Sequence, residues 1–504
     1  MTKYDAIVIG GGLLGCFAAR SLTRYNLKVA LLEKCEDLCT GISRANTAII
    51  YSGCDTKPGS LKTTLCVKAS QDFKKLCGDL GVRYSQCGSI MISFGGRGDE
   101  VLQWKLKQGT ENGVRGMELL TREQVLALEP NIAPNVSAGL LIPETGTVMP
   151  WELCLAAAEN AVENGAEIFR STEVTDIKVT TEKSGEDAGE AQNAAYVIKT
   201  SGETFHARAI INCAGLDADS VLQLASPPTV RIVPTAGDYY ILDTKAAGHI
   251  RHIIFHEPEE KGKGLTLVPT VDGNILVGPT ERSIENSEYF ETSREGLELL
   301  RLLVSQVIPT LPMEHVISSF GAVRPNPYML RQDENSAWVI SEKSVNDLCI
   351  IESDSGTFIS LVGVKTPGLT CSNEIGRYVA EKISAQLGAA PNENFNPYRQ
   401  PPLRPGEMGA EERCALIHKN PDYGKIICRC RGVSEGEIKN AIHRNPGAVT
   451  LDGIKRSTGT DTGRCQGGFC TQRIIEILAH ELGCSPEEVT KRGGESNVLM
   501  RPTR

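Results

Sequence analysis

Positive charge is in deficit along this chain: 53 lysines and arginines stand against 62 aspartates and glutamates in 504 residues, a net charge of -9. With a pI near 5.6, that balance argues against nucleic acid as the main partner, because phosphate backbones are held by clustered positive charge. Long apolar runs are also missing, and none approaches the roughly twenty residues that span a bilayer. An apolar run that reads as a core strand begins at Ala6, which leaves no stretch for a secretory leader. A cytoplasmic location is the expectation, with peripheral docking on a membrane-bound partner still compatible. A disulfide framework is not expected either, since the 17 cysteines are odd in number and cytosolic thiols stay reduced. Hydrophobic content of 40% and charged content of 23% suit a globular enzyme instead. The length exceeds a single core, so two or three domains are expected.

Glycine is plentiful, at 50 residues, and its first cluster carries chemistry. Ala6 to Ile9 has the character of a buried parallel strand and runs into Gly10, Gly12 and Gly15 in G-x-G-x-x-G spacing. Gly10 permits a tight turn, Gly12 lets the backbone approach a pyrophosphate, and Gly15 lets the next helix lie close to the strand. The backbone N–H groups at that helix start face the phosphates. A helical stretch, Leu14 to Tyr25, leads to a second strand, Lys28 to Leu32, ending at Glu33, about twenty residues after the glycines, where a ribose hydroxyl is held. A carboxylate there disfavours a ribose phosphate. The ligand is the ADP half of FAD or NAD.

Thr40 to Pro58 is too irregular for a helix and too apolar at its centre for a solvent loop, so it is expected to thread past the cofactor. Ser43 and Thr47 can meet pyrophosphate or ribose oxygens, while Asn46 and Tyr51 can approach a flavin. Helical patterns follow at Gly59 to Leu80, in two short pieces across Glu100 to Glu129, and at Pro150 to Gly165. Glu167 to Lys178 and Ala194 to Phe205 resemble a strand pair around a charged loop, Thr180 to Asn193. Ala209 to Ser220 supplies another buried strand, ending in the small pair Ala214-Gly215, which lets a second piece of backbone approach the same nucleotide. Thr229 to Val323 is rich in strands without intervening helices, which argues for a mainly antiparallel sheet. Gly363 to Ile383 is a glycine-bearing turn and a helix, with Ser372 or Asn373 able to cap it. Asn392 to Asp422, rich in proline and polar residues, reads as a linker.

Most cysteines, among them Cys16, Cys66, Cys77, Cys154 and Cys213, have apolar neighbours and read as small core residues; Cys35 and Cys39 also read as structural thiols. The last four differ. Cys428-x-Cys430, a gap of thirty-four, then Cys465-x4-Cys470 places four thiolates in two close pairs, as a tetrahedral zinc or an iron–sulfur cluster needs. Zinc pairs normally sit two to four residues apart, so these gaps suit a cluster better. Gly432, Gly463, Gly467 and Gly468 can offer backbone N–H groups to the sulfurs, and helices at Ser434 to His443 and Thr471 to Leu482 complete a compact module.

On these motifs the chain resembles the glycine and D-amino-acid oxidase superfamily of FAD-dependent oxidoreductases. Ser43 to Lys62, Gly88 to Phe94, Gly264 to Pro279 and Gly363 to Thr370 resemble anaerobic glycerol-3-phosphate dehydrogenase large subunits and L-2-hydroxyglutarate oxidases. The tail from CRCRGVSEGEI to GRCQGGFC resembles the [2Fe-2S] domain related to bacterioferritin-associated ferredoxin. The resemblance implies FAD over NAD, with Gly10, Gly12, Gly15 and Glu33 on its ADP half, Ala214-Gly215 at the adenosine, and the turn Gly363 to Leu369, including Gly368, at the flavin. It also implies that Arg324 faces substrate, where a guanidinium can bind a carboxylate or phosphate through two hydrogen bonds.

One departure from the pattern concerns the base. Relatives usually place a histidine where this chain has Tyr51, and a tyrosine with its pKa near 10 removes a hydroxyl proton poorly. His256 is the candidate substitute. The expected reaction is oxidation of a small anionic alcohol, glycerol 3-phosphate or a 2-hydroxy acid, with electrons passed through the cluster to a redox partner protein or subunit in an oligomer or hetero-complex. The alternative is oxidation of the C–N bond of an amino acid or N-substituted amine, which needs less help from a base. A tail used only for docking, and NAD-dependent hydride transfer without flavin, are readings from other classes.

The expected fold is α/β (α+β overall). A Rossmann-like FAD-binding domain is assembled from 1–80, 145–225 and 335–390, and a mainly antiparallel β substrate domain from 81–144 and 226–334. A linker at 391–424, a small α-helical [2Fe-2S] domain at 425–490 and a tail at 491–504 follow.

Overall fold

The computed structural model describes residues 2–180, 196–256, 264–285, 291–333 and 338–501. Strand Thr2–Ile9 pairs in parallel with Val29–Leu32 on one side and Thr204–Asn212 on the other. Glu167–Phe169 continues the parallel order beyond Val29–Leu32, and Phe358–Val362 pairs in parallel with the last residues of Thr204–Asn212. The first residues of Thr204–Asn212 instead join an antiparallel hairpin, Val174–Val179 with Tyr196–Thr200. Ala6, Ile7 and Val8 are wholly buried, as a strand covered on both faces must be. Helices Leu13–Leu22, Pro150–Glu163 and Gly368–Leu387 cover one face, where small side chains such as Cys16, Ala18, Cys154, Ala157 and Cys371 let them pack closely. The cysteines expected in the core, Cys16, Cys66, Cys77, Cys154 and Cys213, are all buried and unpaired.

The second sheet has ten strands and is mainly antiparallel. Its spine is the long pair Val230–Leu242 and Val316–Gln332, continued through Ile275–Val277, Thr266–Pro269 and Ile253–His256. The pairing of Ile253–His256 with Ser89–Ser93 is the parallel exception. The chain therefore leaves the parallel sheet twice, and strands of both excursions build one antiparallel sheet; its last strand, Trp338–Ile340, pairs with Val316–Gln332, so the second excursion runs past the expected boundary at 334. Their shared core includes Ile90, Leu267, Val277 and Leu300.

Four details depart from the pattern-based expectation. Helix Arg294–Val307 interrupts the stretch Thr229 to Val323 that reads as strands alone. The last helix of the parallel domain starts at Gly368, behind Pro367, so Ser372 and Asn373 lie inside it and cap nothing; Ser372 Oγ donates to Leu369 O at 2.9 Å. The segment expected as a linker carries a helix, Ala410–Lys419, and is tied down by Arg399, whose Nε lies 2.5 Å from Glu159 Oε2. The C-terminal module has a third helix, Leu451–Thr458, beside Glu435–His443 and Thr471–Leu482, around a core of Ile438, Ile454 and Leu478. The charged loop read at Thr180 to Asn193 lies, from 181 onward, outside the described residues. Among the described residues no helix is long and apolar enough to cross a membrane.

Candidate active site and cluster site

The first strand feeds into Gly10, whose φ of 106° lies where a side chain is strained; a Cβ there would also lie 2.5 Å from Cys213 O. A Cβ on Gly15 would lie 1.8 Å from Gly10 O, so helix Leu13–Leu22 rests directly on the turn. Ser43 Oγ accepts from Leu13 N at 3.0 Å. Glu33 accepts from Gly11 N at 2.6 Å and from Cys35 N at 2.8 Å, so its buried carboxylate orders two loops while it borders the space between them.

That space is a cavity of about 1050 Å³, at the upper end for a small-molecule site. Gly10, Gly12, Glu33, Ala214 and Gly215 border it from the parallel-sheet domain; Ser43, Asn46, Thr47 and Tyr51 border it from the threading segment. His256 and Arg324 come from the antiparallel sheet, and Gly368 and Leu369 from a helix start. Two expected residues are not on the wall. Gly15 serves the close helix contact, and Gly363 packs against the antiparallel sheet, where a Cβ would meet the Pro327 ring at 2.7 Å. Asn46 is engaged locally, donating to Ser43 O at 3.0 Å and accepting from Ala48 N at 2.8 Å, so it shapes the turn.

Arg324 is 13% exposed. Its Nη2 donates to Thr280 O at 3.2 Å, while the buried Nη1 has no hydrogen bond among the described residues; Glu281 Oε1 lies 3.7 Å away. Across the strand pair stands Gly237, where a Cβ would come within 2.8 Å of the guanidinium. Lys365, not singled out by the sequence, shares the wall. Its Nζ donates to Asn326 Oδ1 at 3.1 Å and Ser344 Oγ at 3.4 Å, and burial holds its pKa below the usual lysine range despite Glu281, with Arg324 adding to the effect. The sequence signal available was a lysine inside the turn Gly363 to Leu369 that the resemblance already placed at the flavin.

Tyr51 stacks on Phe255 with ring centroids 6.1 Å apart. Burial pushes its phenol above the usual range, against a hydrogen bond with Thr47. The fold therefore favours the neutral phenol, and no tyrosinate base is present near neutral pH. Tyr51→Phe is expected to change the rate of substrate-driven flavin reduction by less than about tenfold and to leave its profile between pH 6 and 9 unmoved, since the ionisation lies above that window. Stopped-flow absorbance checks it; a rate that rises with pH towards the alkaline end of that window, and loses the rise with the hydroxyl, would restore Tyr51 as the base. His256 donates its backbone N–H to Leu265 O at 2.8 Å and presents its ring at an angle to Phe94, centroids 5.4 Å apart.

In the C-terminal module Cys428 Sγ and Cys430 Sγ are 3.8 Å apart, and Cys430 Sγ and Cys465 Sγ 3.9 Å; a hydrogen bond from Cys428 lowers the Cys470 thiol below its usual range, both cysteines being free of disulfides. A Cβ on Gly463 would lie 2.4 Å from Cys430 Sγ, so a glycine is required beside that sulfur. The contacts link the four thiols in the order Cys470, Cys428, Cys430 and Cys465, so all four are brought to one place as a cluster needs. Arg431 and Arg464, next to two of these cysteines, pair with Asp272 at 2.8 Å and Asp243 at 3.3 Å in the antiparallel domain.

A glycine-turned parallel sheet, a long cavity and an antiparallel sheet closing it define a dinucleotide-binding oxidoreductase. The chain belongs to the FAD dependent oxidoreductase family, which it matches over residues 5–382, and residues 426–480 match the BFD-like [2Fe-2S] binding domain. It is 38% identical over 502 residues to glycerol 3-phosphate dehydrogenase of Caloramator mitchellensis, covering 99% of each chain. It is 30% identical over 283 residues to human mitochondrial L-2-hydroxyglutarate dehydrogenase, covering 55% of this chain and 61% of that one. The FAD-bound, dithionite-reduced L-alpha-glycerophosphate oxidase of Mycoplasma pneumoniae superposes with a TM-score of 0.69 at 26% identity, over 80% of this chain and 100% of that one. FAD and a [2Fe-2S] cluster are the cofactors, and the enzyme is an FAD-dependent dehydrogenase.

Proposed function

We propose that the chain oxidises glycerol 3-phosphate and delivers the electrons to a protein acceptor. The observation that carries this reading is Arg324, a nearly buried guanidinium whose Nη1 has no hydrogen bond among the described residues, on a wall shared with Lys365. Two cations match a phosphate better than a single carboxylate, which favours glycerol 3-phosphate over a 2-hydroxy acid. Two of the relatives, the glycerol 3-phosphate dehydrogenase and the L-alpha-glycerophosphate oxidase, are named for this substrate, and the first of them matches over 99% of this chain. In this reading Arg324 and Lys365 hold the phosphate, and His256 accepts the hydroxyl proton. Gly10, Gly12, Glu33, Ser43, Ala214, Gly215, Gly368 and Leu369 hold FAD, and Cys428, Cys430, Cys465 and Cys470 hold the cluster. FAD supplies a two-electron acceptor for the hydride, and the cluster a one-electron carrier towards the partner. Cys430 is exposed, whereas Cys428 and Cys470 are buried, so the module can present one edge of its site to a protein.

The raised phenol of Tyr51 favours one other reading, oxidation of the C–N bond of an N-substituted amino acid, whose neutral nitrogen needs no base. Anaerobic mixing separates the two. Glycerol 3-phosphate is expected to bleach the flavin and raise the EPR signal of a reduced [2Fe-2S] cluster; bleaching by N-alkyl amino acids alone would overturn the alcohol reading. A bleached flavin with a silent cluster would leave the tail a docking module. His256→Ala is expected to remove the acid limb from the pH profile of bleaching, because only neutral imidazole accepts a proton; an unchanged limb would exclude it.

A further inference from the structure

The wall of the FAD cavity is not made by the two large domains alone. Arg456, on helix Leu451–Thr458 of the [2Fe-2S] module, and Arg492, from the segment after it, both border the cavity, close to Arg44 of the threading segment. Arg44 sits in the short helical turn Ile42–Arg44, whose last carbonyl accepts from the Trp151 indole at 2.8 Å. Burial and the proximity of Arg456 and Arg492 hold Arg44 below the usual arginine range, against Asp452. The side chain of Arg456 is 5% exposed, and among the described residues its one ion pair is loose, Nη2 to Asp37 Oδ2 at 3.6 Å. Its Nε is buried without a hydrogen bond among the described residues. Asp37 is largely committed elsewhere, accepting from Val449 N at 3.1 Å and from Thr450 Oγ1, and pairing with Arg170 at 3.5 Å.

A buried guanidinium with an unfilled donor is costly unless an anion meets it. Only the diphosphate of FAD carries formal negative charge. We propose that Arg456 and Arg492 join Arg44 in binding that diphosphate, so that the [2Fe-2S] module completes the FAD site and cofactor binding is coupled to its docking. This rests on FAD as the cofactor and is independent of the substrate. Coupling is reciprocal: whatever affinity the docked module adds for FAD, FAD adds for docking.

The test uses full-length protein with its cluster retained, as checked by EPR, and freed of FAD. Titration with FAD, followed by flavin fluorescence, is expected to give a Kd raised about tenfold in Arg456→Gln and about threefold in Arg492→Gln, with Arg473→Gln, on the exposed face of the same module, unchanged. In the unmodified chain, removal of FAD is expected to speed amide hydrogen exchange across Leu451–Thr458. An FAD affinity unaltered in both variants, or exchange across that helix indifferent to FAD, overturns the proposal. Arg492 is exposed, so if Arg456→Gln does not fold, the second variant and the exchange measurement still decide.

Discussion

Arg324→Gln is expected to lower kcat/KM for glycerol 3-phosphate by roughly 10²–10³-fold. Removing one member of a desolvated charge pair costs about 2–5 kcal/mol, and about 1.4 kcal/mol corresponds to each factor of ten. The guanidinium is held by Thr280 O and accommodated by Gly237, so its orientation is set before substrate arrives. Arg324→Lys is expected to recover only part of the loss, because an ammonium supplies charge without the planar fork. The decisive readout is single-turnover flavin reduction against substrate concentration. A drop carried mainly by weaker binding, with glycerol itself equally slow in both forms, supports an anion contact; an unchanged concentration dependence would reduce Arg324 to a structural partner of Glu281.

Gly15→Ala is expected to leave the protein without bound FAD, its affinity lowered at least about hundredfold, and to reduce Tm by several degrees. A methyl group 1.8 Å from Gly10 O meets backbone, which cannot swing aside as a side chain can. The helix must lift from the turn, and overpacking of this kind costs roughly 1–3 kcal/mol or more. Lifting it also displaces Leu13 N and Gly11 N, which are bonded to Ser43 and Glu33 on the cavity rim. Gly78→Ala supplies the contrast: this exposed glycine in helix Leu61–Leu80 has nothing within 4 Å of an added Cβ, so alanine there is expected to keep FAD and to stabilise the helix by up to about 1 kcal/mol. Equal FAD retention in both variants would contradict the close-contact role of Gly15.

The features legible in the sequence are those encoded at short range. Strand, glycines, helix and acid follow one another within about thirty residues, and the bond from Gly11 to Glu33 spans only 22 positions. The cysteine pairs are local too, and the spacing of apolar residues marks the strands of the antiparallel sheet without reference to their partners. Local pattern placed the start of the helix at Gly368 too late, because Ser372 and Asn373 are capping residue types, whereas the helix begins behind Pro367 with no side-chain cap at all. It also made a linker of the segment that Arg399 secures against Glu159 through a contact 240 residues away in sequence.

By itself the sequence determined a parallel strand running into a glycine turn, helix and acid, a strand-rich second region and a C-terminal module with two close cysteine pairs. Only the tertiary structure decided what surrounds the cofactor cavity: Lys365 beside Arg324, the buried phenol of Tyr51, and Arg456 arriving from a module anchored to Asp37 across 412 residues. The physical reason is range. Backbone preferences and apolar periodicity act between near neighbours, whereas burial, charge convergence and the shift of a proton's affinity exist only after distant segments exclude water from one another.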